Sequence, residues 1–191
     1  MVGPYTAGLA LGNGNGSRVA RLLQLFCDIL LFRRGPQDVP ASPALLALAL
    51  LASLAASLLV GLQAFAPVLA LGRVALETAL SAALLIALLT VYGYGGRFLQ
   101  SFTALCATGA ILALLAWPLF GIIVERPAED GLATVAMLLL WLLFAWSLLV
   151  TAHILRHTLD LGWAGGLLLA LAYVLLAAGA TELVLPVTEN G

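Results

Sequence analysis

Arg73 and Glu77 stand four residues apart in a stretch that is otherwise almost pure hydrocarbon. That spacing puts a guanidinium and a carboxylate on one face of a helix, where they can pair through charge-assisted hydrogen bonds. Glu182 is a third charge in apolar surroundings. An ionisable side chain at the middle of a membrane helix costs about 2.5–3.5 kcal/mol to insert, so each of the three needs a reason. One reason is an ion-pair clamp in which Arg73 bridges carboxylates on two helices. A second is a polar cavity or proton path, which makes Arg73, Glu77 and Glu182 a transport site. A third is snorkelling of Arg73 to the headgroups. A path shows polar residues at several depths, and these three all fall in the outer half of the membrane, which favours the clamp.

A second polar group is His153, Arg156, His157 and Asp160. His153, His157 and Asp160 share a helix face, and two histidines at this spacing can hold a metal. The chain has no third histidine to add, and the reading is an interfacial polar helix end, with no metal or haem expected. Cys27 and Cys106 lack metal-ligand spacing and read as reduced packing residues. There is no Walker loop, no dinucleotide glycine pattern and no HExxH, so neither a catalytic residue nor a cofactor is expected. The run YGYGGRF at Tyr92–Phe98 has glycines like a selectivity filter but lacks the Thr-Val and pore helix before them, and reads as a turn.

The elements that position these residues follow from composition. Hydrophobic residues make up 63% and charged residues 9% of the 191. No soluble domain of this size has such a ratio. About 20 apolar residues cross a hydrocarbon core of about 30 Å. Five runs reach that length, at roughly Ser42–Leu62, Pro67–Tyr92, Phe102–Ile123, Leu132–His153 and Trp163–Leu185. The separators are short and rich in Gly, Pro and charge, Ile154–Gly162 among them, as between antiparallel neighbours. Barrel strands would alternate in polarity, and these runs do not. The fold class is therefore all-α, one polytopic membrane bundle over residues 41–187. A net charge of −1 with no lysine excludes a basic nucleic-acid face.

Ahead of the bundle, residues 1–16 read as a flexible glycine-rich tail, and 17–40 as an amphipathic helix with a proline-rich connector. Ser17 is the expected N-cap of a helix over about Arg18–Arg34. Val19, Leu22, Leu23, Phe26, Ile29 and Leu30 form its apolar stripe. Such a helix lies in the membrane interface, with Arg18, Arg21, Arg33 and Arg34 toward lipid headgroups or a partner protein. Pro118 with Gly121 should kink or end the third span. With five spans, Arg18, Arg21, Arg33, Arg34, Arg97 and Arg156 fall on one side and Arg126 on the other. The positive-inside bias then places the N-terminus in the cytoplasm and the C-terminus outside. Arginine as the sole strong base, with heavy Leu, Ala and Gly use, points to a bacterial inner membrane.

The segment RLLQLFCDILLFRRGPQDVP leading into the first span, and the turn GYGGRFLQSFTAL before the third, resemble the bacterial branch of the Yip1 family. There a short amphipathic segment with a proline precedes the first span, and a Gly-Gly-Arg-like turn precedes a polar-aromatic start to the third. The resemblance covers nearly the whole chain from Ser17. The acidic and glycine motifs of the eukaryotic members have no match, so trafficking roles do not carry over. What the resemblance implies is a five-span protein that binds partners, with no enzymatic activity and no catalytic residues. The expected function is a non-enzymatic scaffold or accessory subunit that meets other subunits or further copies of itself. The alternative is a small oligomeric transporter or channel.

Overall fold

In hydrocarbon a backbone must satisfy its own N–H and C=O groups, and a single segment does so as a helix. The computed structural model describes residues 14–127 and 129–186, with side chains from Val19 onward. Those residues form six helices and no strand: α1 (Gly14–Leu30), α2 (Pro43–Gly61), α3 (Pro67–Tyr92), α4 (Phe98–Glu125), α5 (Gly131–Thr158) and α6 (Trp163–Val184). The last five are long and apolar enough to cross a membrane.

Local chemistry sets their ends. Pro43 and Pro67 open α2 and α3, where a missing N–H costs nothing. Ser42 caps α2 by accepting from the Leu45 N–H, and Asp130 caps α5 by accepting from the Leu132 N–H. Three helices close alike at one end of the bundle. Phe32, Gly93 and Asp160, just past α1, α3 and α5, take left-handed φ values of 60°, 76° and 53°. The following N–H then reaches back five residues, Arg33 to Asp28, Tyr94 to Leu89 and Leu161 to Arg156, at 2.8 Å each. These are Schellman closures, and only one uses the glycine that the left-handed region favours.

Several expected boundaries move. The first helix runs Gly14–Leu30 rather than Arg18–Arg34, so Ser17 lies inside it and cannot be its cap. The expected tail lies outside the described residues except for 14–16, as do the side chain of Arg18 and all of Glu189. The third span starts one turn early, at Phe98, and continues through Pro118 to Glu125. The fourth runs on to Thr158, so most of the expected separator after His153 is helix.

The main interfaces join α2 to α4, α4 to α5 and α5 to α6, while α3 closes against α2 and α6. With lipid outside, close packing rather than the hydrophobic effect holds helices together. Small residues supply it. Ala49 and Ala56 of α2 are buried, as are Ala104, Ala107 and Ala110 of α4. Gly166 lets α6 lie on the α5 backbone: a Cβ there would stand 2.8 Å from the Ala152 carbonyl oxygen and 2.7 Å from the Arg156 Cβ. The middle of the bundle is a closed apolar core that includes Leu85, Leu89, Val150, Ile154 and Leu155.

Candidate functional site

Polar chemistry gathers at the two ends of this core. At the far end, where α3 begins and α6 finishes, Arg73 ties the two helices. Its Nη1 donates to the Leu185 carbonyl oxygen at 2.6 Å and its Nη2 to Glu182 Oε2 at 2.9 Å. The guanidinium also lies 5.0 Å over the Phe65 ring. The Arg73 side chain is 14% exposed and that of Glu182 52%. Glu77 is not in this pairing. Although one turn from Arg73, it is beyond ion-pair distance and exposed on the bundle surface. The expected bridge over two carboxylates thus reduces to one carboxylate and one carbonyl. An arginine fork matches that pair, because the last carbonyls of α6 have no helical partner of their own.

Two more ties follow. Gln63 Nε2 donates to the Trp117 carbonyl at 3.2 Å, and deeper in the bundle Tyr173 Oη donates to the Ser81 carbonyl at 3.0 Å. In the loop before α5, Arg126 Nη1 donates to Asp130 Oδ2 at 2.8 Å. That bond and the Leu132 N–H hold the Asp130 carboxyl below its ordinary value of 3.8.

The arginine-rich end is more elaborate. The helix α1 does not simply float in the interface. Its apolar stripe divides: Phe26, Ile29 and Leu30, with Leu25, are buried in the bundle core, while Val19 and Leu23 stay exposed. Arg21 and Arg33 are on the surface, and Arg34 pairs with Asp28 at 3.4 Å. The connector is equally fixed. Pro36–Asp38 makes a 3-10 turn whose Asp38 carboxylate accepts from the Gly35 N–H. Gln100 Nε2 donates to the Val39 carbonyl at 2.9 Å, and Val39 is itself buried.

His153 is the main correction. The sequence places it at an interfacial polar helix end, whereas it is only 2% exposed and packed inside the bundle. Its Nε2 lies 2.8 Å from the Arg34 carbonyl oxygen. That oxygen can only accept, so Nε2 carries the hydrogen. The left-handed turn at Phe32 lays that ring beside His153 (centroids 5.2 Å) and Trp146 (5.3 Å). His157 lies edge-on to His153 at 4.6 Å. Arg156 covers Trp163 at 4.0 Å and reaches His157 Nε2 at 3.1 Å.

Beside this aromatic cluster Arg97 spans the α3–α4 turn and the end of α5. It stacks over Tyr94 at 4.3 Å and donates to Asp160 Oδ2 at 2.9 Å and to the Thr158 carbonyl at 2.8 Å. Ser101 and Thr158, both 1% exposed, share a hydroxyl hydrogen bond of 2.8 Å. These groups, with Gln37 and Gln100, border a cavity of about 300 Å³. The sequence marked Arg97 and Asp160 but missed Gln100 and the Ser101–Thr158 pair. The signal was the polar pair Gln100–Ser101 at the head of an apolar run. Among the described residues no three His, Cys, Asp or Glu side chains converge as a metal site. Compared with known proteins, the chain matches no family model, no curated protein and no solved structure.

Proposed function

We propose that the chain is a non-enzymatic accessory subunit or scaffold, which uses the arginine-rich end to hold a partner membrane protein. The observation that carries this reading is the docking of α1 and its connector onto α4 and α5. His153 and Gln100 fix the backbone at Arg34 and Val39. A lipid anchor needs no such bonds, since apolar area and headgroup contact suffice. A helix meant to present a surface does need them, because a fixed orientation lowers the cost of recognition. The exposed positions so presented are Val19 and Leu23 on one side of α1, Arg21 on the other, and Arg33 just past its end. The resemblance to the partner-binding Yip1 family agrees with this role. The location is a bacterial inner membrane, with α1 on the cytoplasmic side and the C-terminus outside, as arginine placement argues. Transport through Arg73, Glu77 and Glu182 has less support, since Arg73 and Glu182 close one helix on another.

The test is a photo-crosslinking amino acid placed at Val19 or Leu23 in the native membrane, followed by purification in mild detergent. One defined protein adduct is expected, copurifying with the untreated chain. Adducts to lipid alone, with a clean monomer in every detergent, would overturn the reading.

A further inference from the structure

Glu77 takes no part in the tie that Arg73 makes to Glu182 and Leu185. It lies ten residues past Pro67 in α3. At about 1.5 Å per residue that is about 15 Å, half of a hydrocarbon core of about 30 Å. It is exposed rather than buried. Thus a carboxyl group stands at mid-depth on the face that meets lipid. Arg73, the nearest cation along the helix, is engaged by Glu182 and the Leu185 carbonyl.

The neighbouring helix is shaped to match. Two ties align α3 with α6: Arg73 to Glu182 and Leu185 at one level, and Ser81 to Tyr173 at another. Glu77 lies midway between them, opposite the run Ala177–Ala180 (AAGA) of α6. Ala178 and Gly179 are exposed there, and a Cβ added to Gly179 would meet nothing within 4 Å. Beside the carboxyl group the surface therefore dips, and a foreign helix can come close.

We infer that Glu77 and the Ala178–Gly179 dip form an intramembrane docking site for a partner's transmembrane helix carrying a basic residue at mid-depth. This rests on the accessory-subunit reading and names the chemistry of its partner. The argument is charge complementarity at a place where water offers neither group an alternative. A lone arginine or lysine in a partner span faces the same insertion cost as Glu77, and pairing relieves both. Small residues beside the acid allow the approach that such a pair needs. A second copy of this chain fits less well, because its own intramembrane cation, Arg73, is engaged in the same way.

The test reconstitutes the full chain in phosphatidylcholine vesicles with a synthetic Leu/Ala peptide of about 20 residues. The peptide carries one central Arg or, as control, Leu. Energy transfer is read from a dye on Cys27, which is exposed while Cys106 is buried. The Arg peptide should associate about tenfold more tightly than the Leu peptide. Glu77→Gln should abolish that preference. Gly179→Leu, which fills the dip and keeps the acid, should weaken binding of the Arg peptide. Equal association of the two peptides, or a preference that survives Glu77→Gln, overturns the inference. So does self-association of the chain that Glu77→Gln removes while the Arg peptide goes unrecognised. A protein adduct from α1 in native membranes, together with equal peptide binding, would sink this site and leave the accessory-subunit reading intact.

Discussion

Single side chains tie the ends of this bundle, and their removal has separable effects. Arg73→Ala takes away one bond to a carbonyl and one to a carboxylate. Hydrogen bonds to charged groups contribute about 1.5–3 kcal/mol. A loss of about 2 kcal/mol is expected in a detergent or denaturant unfolding titration, with Arg73→Lys intermediate because it lacks the fork. His153→Phe keeps a ring against Phe32 but cannot donate to the Arg34 carbonyl. It should loosen the connector, read as faster trypsin cleavage after Arg34 with the bundle still folded. Asp130 carries the pH dependence. Its folded value is depressed, so its stabilisation is fully present above 3.8 and disappears as pH falls through the lower folded value. The first turn of α5 should then fray in acid by hydrogen exchange. Asp130→Asn, which still caps, should show no such dependence.

At the scale of elements, span number and type were legible, because length and continuous hydrophobicity decide them. The second span was placed to the residue, since Pro67 and Gly93 punctuate it. Elsewhere helix ends depend on signals that composition hides. The residue type at Phe32 gives no sign of a left-handed turn, and an aspartate such as Asp160 takes that region only occasionally; the packed rings and the Arg97 pair make those conformations worthwhile. The docking of α1 was invisible for a similar reason: one amphipathic stripe suits a lipid surface or a protein groove equally well. Of the candidate sites, sequence spacing brought Arg73 and Glu182 to one level but could not show that Glu77 stays beyond ion-pair distance of Arg73. Two glycines test the element geometry. Gly93→Ala should cost about 1 kcal/mol through φ alone, since its Cβ would meet nothing. Gly166→Ala should cost about 1–3 kcal/mol by pushing α6 off α5.

For the whole molecule, orientation is the property that function turns on. Cys27 is exposed near the arginine-rich end and Cys106 is buried. A membrane-impermeant maleimide should therefore label Cys27 in inside-out vesicles and leave right-side-out vesicles unmodified. The opposite pattern would place α1 outside and reverse the proposed topology. The bond from His153 to the Arg34 carbonyl also has a consequence in time. Its two ends are 119 residues apart. At about 5–20 residues per second, a ribosome needs roughly 6–24 s to make the second end after the first. The N-terminal helix is thus finished, and free to meet insertion machinery or a waiting subunit, well before its own seat on α5 exists. Whatever binds it during synthesis must release it before the fourth span can lock it down.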